Sequence, residues 1–323
     1  MAGEMRNHVK YEEEYILNSR GLKLFTCRWF PANQDPKALI FILHGYAMEC
    51  SISMNDTGTR LAKAGYAVYG IDFEGHGKSS GLGGLISCFD DIVSDCANYF
   101  STICEHKDNI GKMRYLYGES MGGAIALNMD RQTPDYWDGA VLVAPMCKIA
   151  DDMKPNPVVI TVLTMLCKVI PTWKMIPTED VVEMAFKEPE KRAEIRSNPY
   201  CYKGRIRLKT GQELLRVSLD LEKNLHKIQM PFLVVHGGDD KVTDPSTSKQ
   251  LHETAASADK TFKLYPGMWH GLTSGEPPEN IDTVFSDIIN WLDERSAIGN
   301  SRLEKERKSR NDGFISSKKK MVC

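Results

Sequence analysis

No apolar run in this chain is long enough to cross a bilayer. The longest candidate, Val158 to Cys167 inside PVVITVLTMLCKVIP, is about half the roughly 20 residues required, so spanning is excluded while lying on a membrane is not. The first residues, MAGEMRNHVKYEEEYILNSR, are acidic and lack the apolar centre of a secretory signal. No CxxC pair occurs among nine cysteines, an odd number, and most sit in apolar surroundings; reduced thiols in a cytosolic compartment are predicted. Neither sign of charge dominates: 41 Lys and Arg face 43 Asp and Glu, for a net charge of -2, which gives no nucleic-acid signature. Metal chemistry is not expected, because there is no HExxH and the histidines and cysteines lack ligand spacing. EGHGKS imitates a phosphate loop, but a Walker A motif needs glycine where Asp72 stands. An HxxxxD acyltransferase signature fails as well, since the residue five after His76 is Gly81. No cofactor is called for.

What the chain does contain is alternation. EYILNSRGLKLFTCRWF reads as two strands joined at Arg20-Gly21, and KALIFILH, YAVYGID, KMRYLYG, GAVLVAP, PFLVVHG and TFKLY read as further strands. Between them lie helical patterns, of which CFDDIVSDCANYFSTIC has the clearest apolar stripe, through Phe89, Ile92, Val93, Cys96, Phe100 and Ile103. Strands alternating with helices predict an α/β fold with a mostly parallel sheet covered on both faces. The alternation stops between about Cys147 and Asp220, where helical patterns and prolines occur without a buried strand, so an inserted helical cap is predicted. The division expected is core at 1–146, cap at 147–220, core again at 221–298 and a disordered tail at 299–323. That tail is basic: from residue 300 onward it carries +5, leaving -7 on the rest. Within the cap, Thr161, Thr164 and Lys168 form one narrow polar stripe on an otherwise apolar helix, which suits either burial or contact with lipid.

One corner carries chemistry. In YLYGESMGGAIAL, Ser120 lies between a strand and a helix, flanked by Gly118 and Gly122 in the GxSxG pattern. Such a turn holds the serine in a strained backbone conformation with its hydroxyl free, at a helix start whose N–H groups favour negative charge. A serine needs a base, and the base needs an acid; on this kind of sheet the chain order is serine, acid, histidine. GDDKVTDP offers three aspartates, of which Asp244 is explained as a helix N-cap before Pro245. Asp239 and Asp240 both stay open as the acid. His270, in PGMWHGL, is the natural base, while His44, His76 and His236 beside strand-end glycines read as structural. The oxyanion of a tetrahedral intermediate would be met by the backbone N–H of Met121 and of Tyr46, in the loop after KALIFIL.

HGYAMECSISM, YGIDFEGHGKS, GESMGGAIAL, VLVAPMCKIADDMKP, HGGDDKVTDP, ADKTFKLYPGMWHGL and INWLDER together resemble the plant monoacylglycerol lipases, α/β-hydrolases also described as lysophospholipases. The resemblance spans about residues 11 to 295. It implies the α/β-hydrolase fold, Ser120 as nucleophile, Asp240 as acid and His270 as base, with a mobile lid shaping an acyl pocket near Met153, Met165, Met175 and Met184. Met146 and Trp269, inside the shared motifs, join Met165 as substrate-contact candidates. Glu49 lies one position from where animal relatives hold glycerol with a glutamate. The implied substrate is a small lipid ester, preferably a monoacylglycerol, with peripheral membrane contact through the cap and basic tail. Caffeoylshikimate esterases share the triad, and lysophospholipid hydrolysis, acyl transfer from the same intermediate and a non-catalytic ligand receptor are the other readings. Cys323 is the last residue, so it forms no CaaX box, and acylation there would be a separate anchor.

Overall fold

The structure, a computed structural model, describes residues 4–6, 9–148, 156–174 and 180–320, with side chains at 4–6, 157–159 and 300–320 excepted. Met153, Met175 and Cys323 lie outside the described residues. Nine strands form one sheet: β1 (Glu4–Arg6), β2 (Val9–Leu17), β3 (Lys23–Pro31), β4 (Leu39–Leu43), β5 (Ala67–Ile71), β6 (Arg114–Glu119), β7 (Gly139–Val143), β8 (Phe232–Gly237) and β9 (Lys260–Tyr265). Their spatial order is β1-β2-β3-β5-β4-β6-β7-β8-β9. The pairings from β5 through β9 are parallel, and β1, β2 and β3 add an antiparallel margin. This is the α/β-hydrolase arrangement. The turn expected at Arg20-Gly21 joins β2 to β3, with Gly21 at φ 77°.

The strands from β4 to β8 are buried on both faces, as their unbroken apolar runs require. On one face lie α2 (Phe89–Glu105), α3 (Met121–Gln132), α7 (Leu208–Asn224) and α8 (Pro245–Thr254); on the other lie α1 (Asn55–Lys63) and the start of α9 (Pro278–Lys320). The α2 stripe read from sequence packs inward, with Phe100 stacked on Phe41 at 4.5 Å. Sheet order reverses around β4, whose neighbours β5 and β6 lead away in opposite directions. In such sheets the crevice at the carboxyl ends of the strands is where ligands bind.

Between β7 and β8 the regular elements among the described residues are all helical: α4 (Pro157–Cys167), α5 (Val181–Ala185), α6 (Pro189–Ser197), α7 and a short 3-10 turn (Leu225–Lys227). The cap boundary drawn after residue 220 falls inside α7, because Val217 and Leu221 are anchored in the main core. A disordered tail was expected from residue 299, yet α9 continues to Lys320. The segment RLEKERKSR is rich in good helix formers and contains no proline, so nothing local stops the helix.

Candidate active site

Ser120 sits between β6 and α3 with φ 52° and ψ -116°, a region costly for any residue with a side chain. The corner is made possible by what the glycines lack. A Cβ on Gly122 would stand 1.9 Å from Leu43 O, and one on Gly118 would stand 2.5 Å from Gly122 O. Gly122→Ala therefore pits a methyl against a backbone carbonyl of the central strand. We expect a loss of about 3 kcal/mol, read as a lowered urea midpoint without a change in slope.

The loop after β4 closes over the serine. A Cβ on Gly45 would be 3.5 Å from Ser120 Cβ, and Ala47 takes φ 66° to turn the chain. Met121 opens α3, so its N–H has no carbonyl one turn earlier in the helix. Tyr46 and Met121 both line the cavity that Ser120 faces, as oxyanion donors must. His44 is fully buried beneath them, stacked on Phe73 at 3.9 Å, and burial pushes it down to about 3. It is neutral and structural, as the sequence suggested.

Asp240 lies after β8 and His270 after β9, brought together by parallel pairing of those strands. His270 Nδ1 is 2.7 Å from Asp240 Oδ2. The carboxylate has no solvent-exposed side-chain surface, and accepts Val242 N–H at 2.7 Å and Thr243 N–H at 3.0 Å on Oδ1, with the Thr243 hydroxyl at 2.9 Å on Oδ2. Burial opposes its charge, but His270 and the hydrogen bonds from His236 and His270 outweigh it and hold Asp240 well below the usual carboxylate range. The acid left open by spacing is thus resolved by contact. Asp239 makes no hydrogen bond to His270 among the described residues, and Asp244 caps α8 by accepting Ser246 N–H at 2.7 Å.

Ser120, His270, Tyr46, Met121 and Met146 line one cavity of about 1280 Å³. Three other substrate-contact candidates do not. Met165 points outward, 64% exposed, because the inward face of α4 is given by Ile160, Leu163 and Thr164. Trp269 lies under Lys241, 5.4 Å from its ring, and outside the cavity lining. Glu49 is fully buried, accepting Ser53 N–H at 2.7 Å, the Ser51 hydroxyl at 2.6 Å and Asn198 Nδ2–H at 2.9 Å. Burial works against its charge, yet these donors hold it below its ordinary value and turn it away from any ligand.

Several residues that the sequence reading passed over belong to this site. Glu119, inside GxSxG, is half-buried, and desolvation of its carboxyl raises it above its ordinary value; it accepts the hydroxyls of Tyr117 at 2.9 Å and Thr273 at 2.8 Å, fastening the histidine loop to β6. The segment 180–202 is tied to both catalytic loops. Gly271 N–H reaches Ala185 O at 2.8 Å and Lys187 N–H reaches Gly275 O at 2.9 Å, while Tyr202 N–H reaches Ala47 O at 2.9 Å. This part of the insertion bridges the two loops through backbone contacts, which pattern reading has no means to find.

Residues 34–278 match the family described as serine aminopeptidase, S33. A caffeoylshikimate esterase from Arabidopsis thaliana is 34% identical over 300 residues, covering 91% of this chain and 90% of the relative. A monoglyceride lipase from Homo sapiens is 31% identical over 291 residues, covering 90% and 93%. The solved structure of a soluble variant of the Saccharomyces cerevisiae monoglyceride lipase, in complex with a substrate analog, superposes with a TM-score of 0.76 at 23% identity, covering 87% of this chain and 94% of that one.

Proposed function

This chain belongs to the serine aminopeptidase S33 family of α/β-hydrolases, and from that premise we propose that Ser120, His270 and Asp240 cleave the ester of a single-chain lipid, preferably a monoacylglycerol. That it is a carboxylic ester hydrolase follows from the family and from relatives that cleave lipid or phenolic esters by name. The observation that carries the assignment of residues is the 2.7 Å bond from His270 to buried Asp240, on the wall of the cavity that also holds Ser120. His270 Nε2 takes the proton as Ser120 Oγ attacks the carbonyl, and the N–H groups of Tyr46 and Met121 receive the oxyanion. The C–O bond then breaks, and His270 returns its proton to the departing alcohol. Water, deprotonated by the same imidazole, releases the fatty acid and restores the serine.

A cavity of about 1280 Å³ exceeds what a small polar ester fills, and its wall includes Met54, Met146, Ile160, Leu163 and Leu214, which favours an aliphatic chain. The 34% identity to a caffeoylshikimate esterase favours a phenolic ester as the second reading. Purified protein should release fatty acid from a 2-monoacylglycerol, with Ser120→Ala as the blank. Cleavage of caffeoylshikimate alone would move the substrate to the phenolic class.

We also propose that the enzyme works at cytosolic membrane surfaces through the outer side of α4 and the turns after it. No helix of the described residues is long and apolar enough to cross a membrane, but Val162, Met165, Val169 and Trp173 are 50%, 64%, 79% and 56% exposed along one stretch, with Lys168 and Lys174 beside them. An apolar stretch flanked by lysines fits a lipid surface with anionic head groups. The Val169→Asp, Trp173→Asp double variant should lose about tenfold in liposome binding and keep its rate on a water-soluble ester. Unchanged co-sedimentation would refute this contact.

A further inference from the structure

Asp240 serves two imidazoles. Its Oδ2 lies 2.7 Å from His270 Nδ1 and 3.0 Å from His236 Nε2. His236 stands on β8, and its side chain has no solvent exposure. Both ring nitrogens are engaged. Nε2 lies 3.0 Å from two groups that only accept, the Asp240 carboxylate and Thr243 O, and 3.4 Å from the Thr243 hydroxyl, which donates at 2.9 Å to Asp240 Oδ2, so the hydrogen is assigned to Nε2. Nδ1 is 2.7 Å from Ser248 Oγ, which donates to it in the neutral ring. Ser248 is itself fully buried on α8, so this chain of contacts runs from the helix through β8 to the carboxylate.

A buried histidine that merely satisfies a loop could bond any oxygen nearby. This one donates to the same oxygen that His270 uses. We propose that His236 is a positioning residue for ester cleavage: by donating Nε2–H to Asp240 Oδ2 it fixes that oxygen against His270 and withdraws part of its negative charge. The inference rests on the roles given above to Ser120, His270 and Asp240. Its physical basis is that a carboxylate oxygen with one donor fewer attracts the remaining imidazolium more strongly and is less sharply placed. Other charged groups lie around the pair without touching the carboxylate: Glu119, whose charge interacts with that of His270, Asp239 and Lys241 on the same loop, and Asp244 at the start of α8. None of these hydrogen-bonds Asp240 among the described residues.

The test compares kcat and KM over about pH 5 to 9 for the wild type, His236→Leu and His236→Gln, with sites counted by a fluorophosphonate. His236→Leu should lose about tenfold in kcat per titrated site, keep KM within about twofold, and move the acid limb of kcat/KM upward by about half a pH unit. The glutamine amide N–H can take the place of Nε2–H, so His236→Gln should recover most of both effects. Should His236→Leu not fold, Ser248→Ala leaves the ring in place but frees Nδ1, and the same shifts should follow at smaller size. A purely structural role would lower the titrated fraction and leave the per-site profile at wild type. That result, in either His236→Leu or Ser248→Ala, overturns the proposal, as does a glutamine variant indistinguishable from leucine. Wild-type protein that reacts with no fluorophosphonate would instead remove the hydrolase reading on which it rests.

Discussion

Ser120→Ala should lower kcat by about 10⁴ to 10⁶-fold and leave ligand affinity nearly unchanged. The alcohol is the group that bonds to carbon, so residual turnover comes from the oxyanion donors acting on water. Its backbone supplies a second, independent expectation. With φ 52° and ψ -116°, Ser120 occupies a conformation glycine adopts freely. Ser120→Gly should therefore be inactive and more stable than the wild type by about 1 kcal/mol, whereas Ser120→Ala keeps the strain and gains little. Thermal unfolding of the two variants side by side checks the sign. Equal stability of glycine and alanine variants would mean the corner is not strained.

Asp240→Asn should cost about 10⁴-fold in kcat, and the contacts say why an isosteric change does so much. Val242 and Thr243 N–H groups hold Oδ1, which fixes the amide oxygen on that side. The NH₂ must then take the place of Oδ2, facing His236 Nε2 and His270 Nδ1. A donor there forces His270 to accept at Nδ1 and carry its hydrogen on Nε2, which leaves no lone pair for the serine proton. The wild-type charge also bears on stability. The folded carboxylate is held below its unfolded value, so its contribution is complete above the ordinary carboxylate range and is lost as pH falls through and below it. Asp240→Asn should therefore show a smaller loss of stability between about pH 5 and pH 2 than the wild type, measured by urea midpoints at each pH.

Much of the site was legible because local rules fix it. GxSxG between a strand and a helix requires the corner found at Ser120, and Asp-Pro before a helical run requires the cap found at Asp244. Chain order placed His270 at the same sheet edge as the serine. What spacing leaves open is direction. Glu49 and Trp269 lie within one residue of Met48 and His270, which line the cavity, yet their side chains turn away, Glu49 into a nest of donors and Trp269 beneath Lys241. Met165 turns outward for a related reason: the one narrow polar stripe of its helix, through Thr161, Thr164 and Lys168, does not mark the solvent side, since Thr164 lines the cavity while Met165 is exposed. Longer-range contacts leave no pattern at all, which is why Glu119, Thr273, His236 and the Tyr202 to Ala47 bridge came only from the fold. The last helix ran on past its expected end because the sequence stops the core there but not the helix.

The central claim is that Ser120 carries the acyl group between the two half-reactions. It is tested most directly by mixing the enzyme with a slow-turnover p-nitrophenyl ester, quenching in acid and mapping the acyl mass by peptide mass spectrometry. The account predicts one acyl group on the peptide containing Ser120, formed in a burst with the phenolate and absent from Ser120→Ala. Steady turnover with no adduct, or an adduct on any other residue, would contradict it.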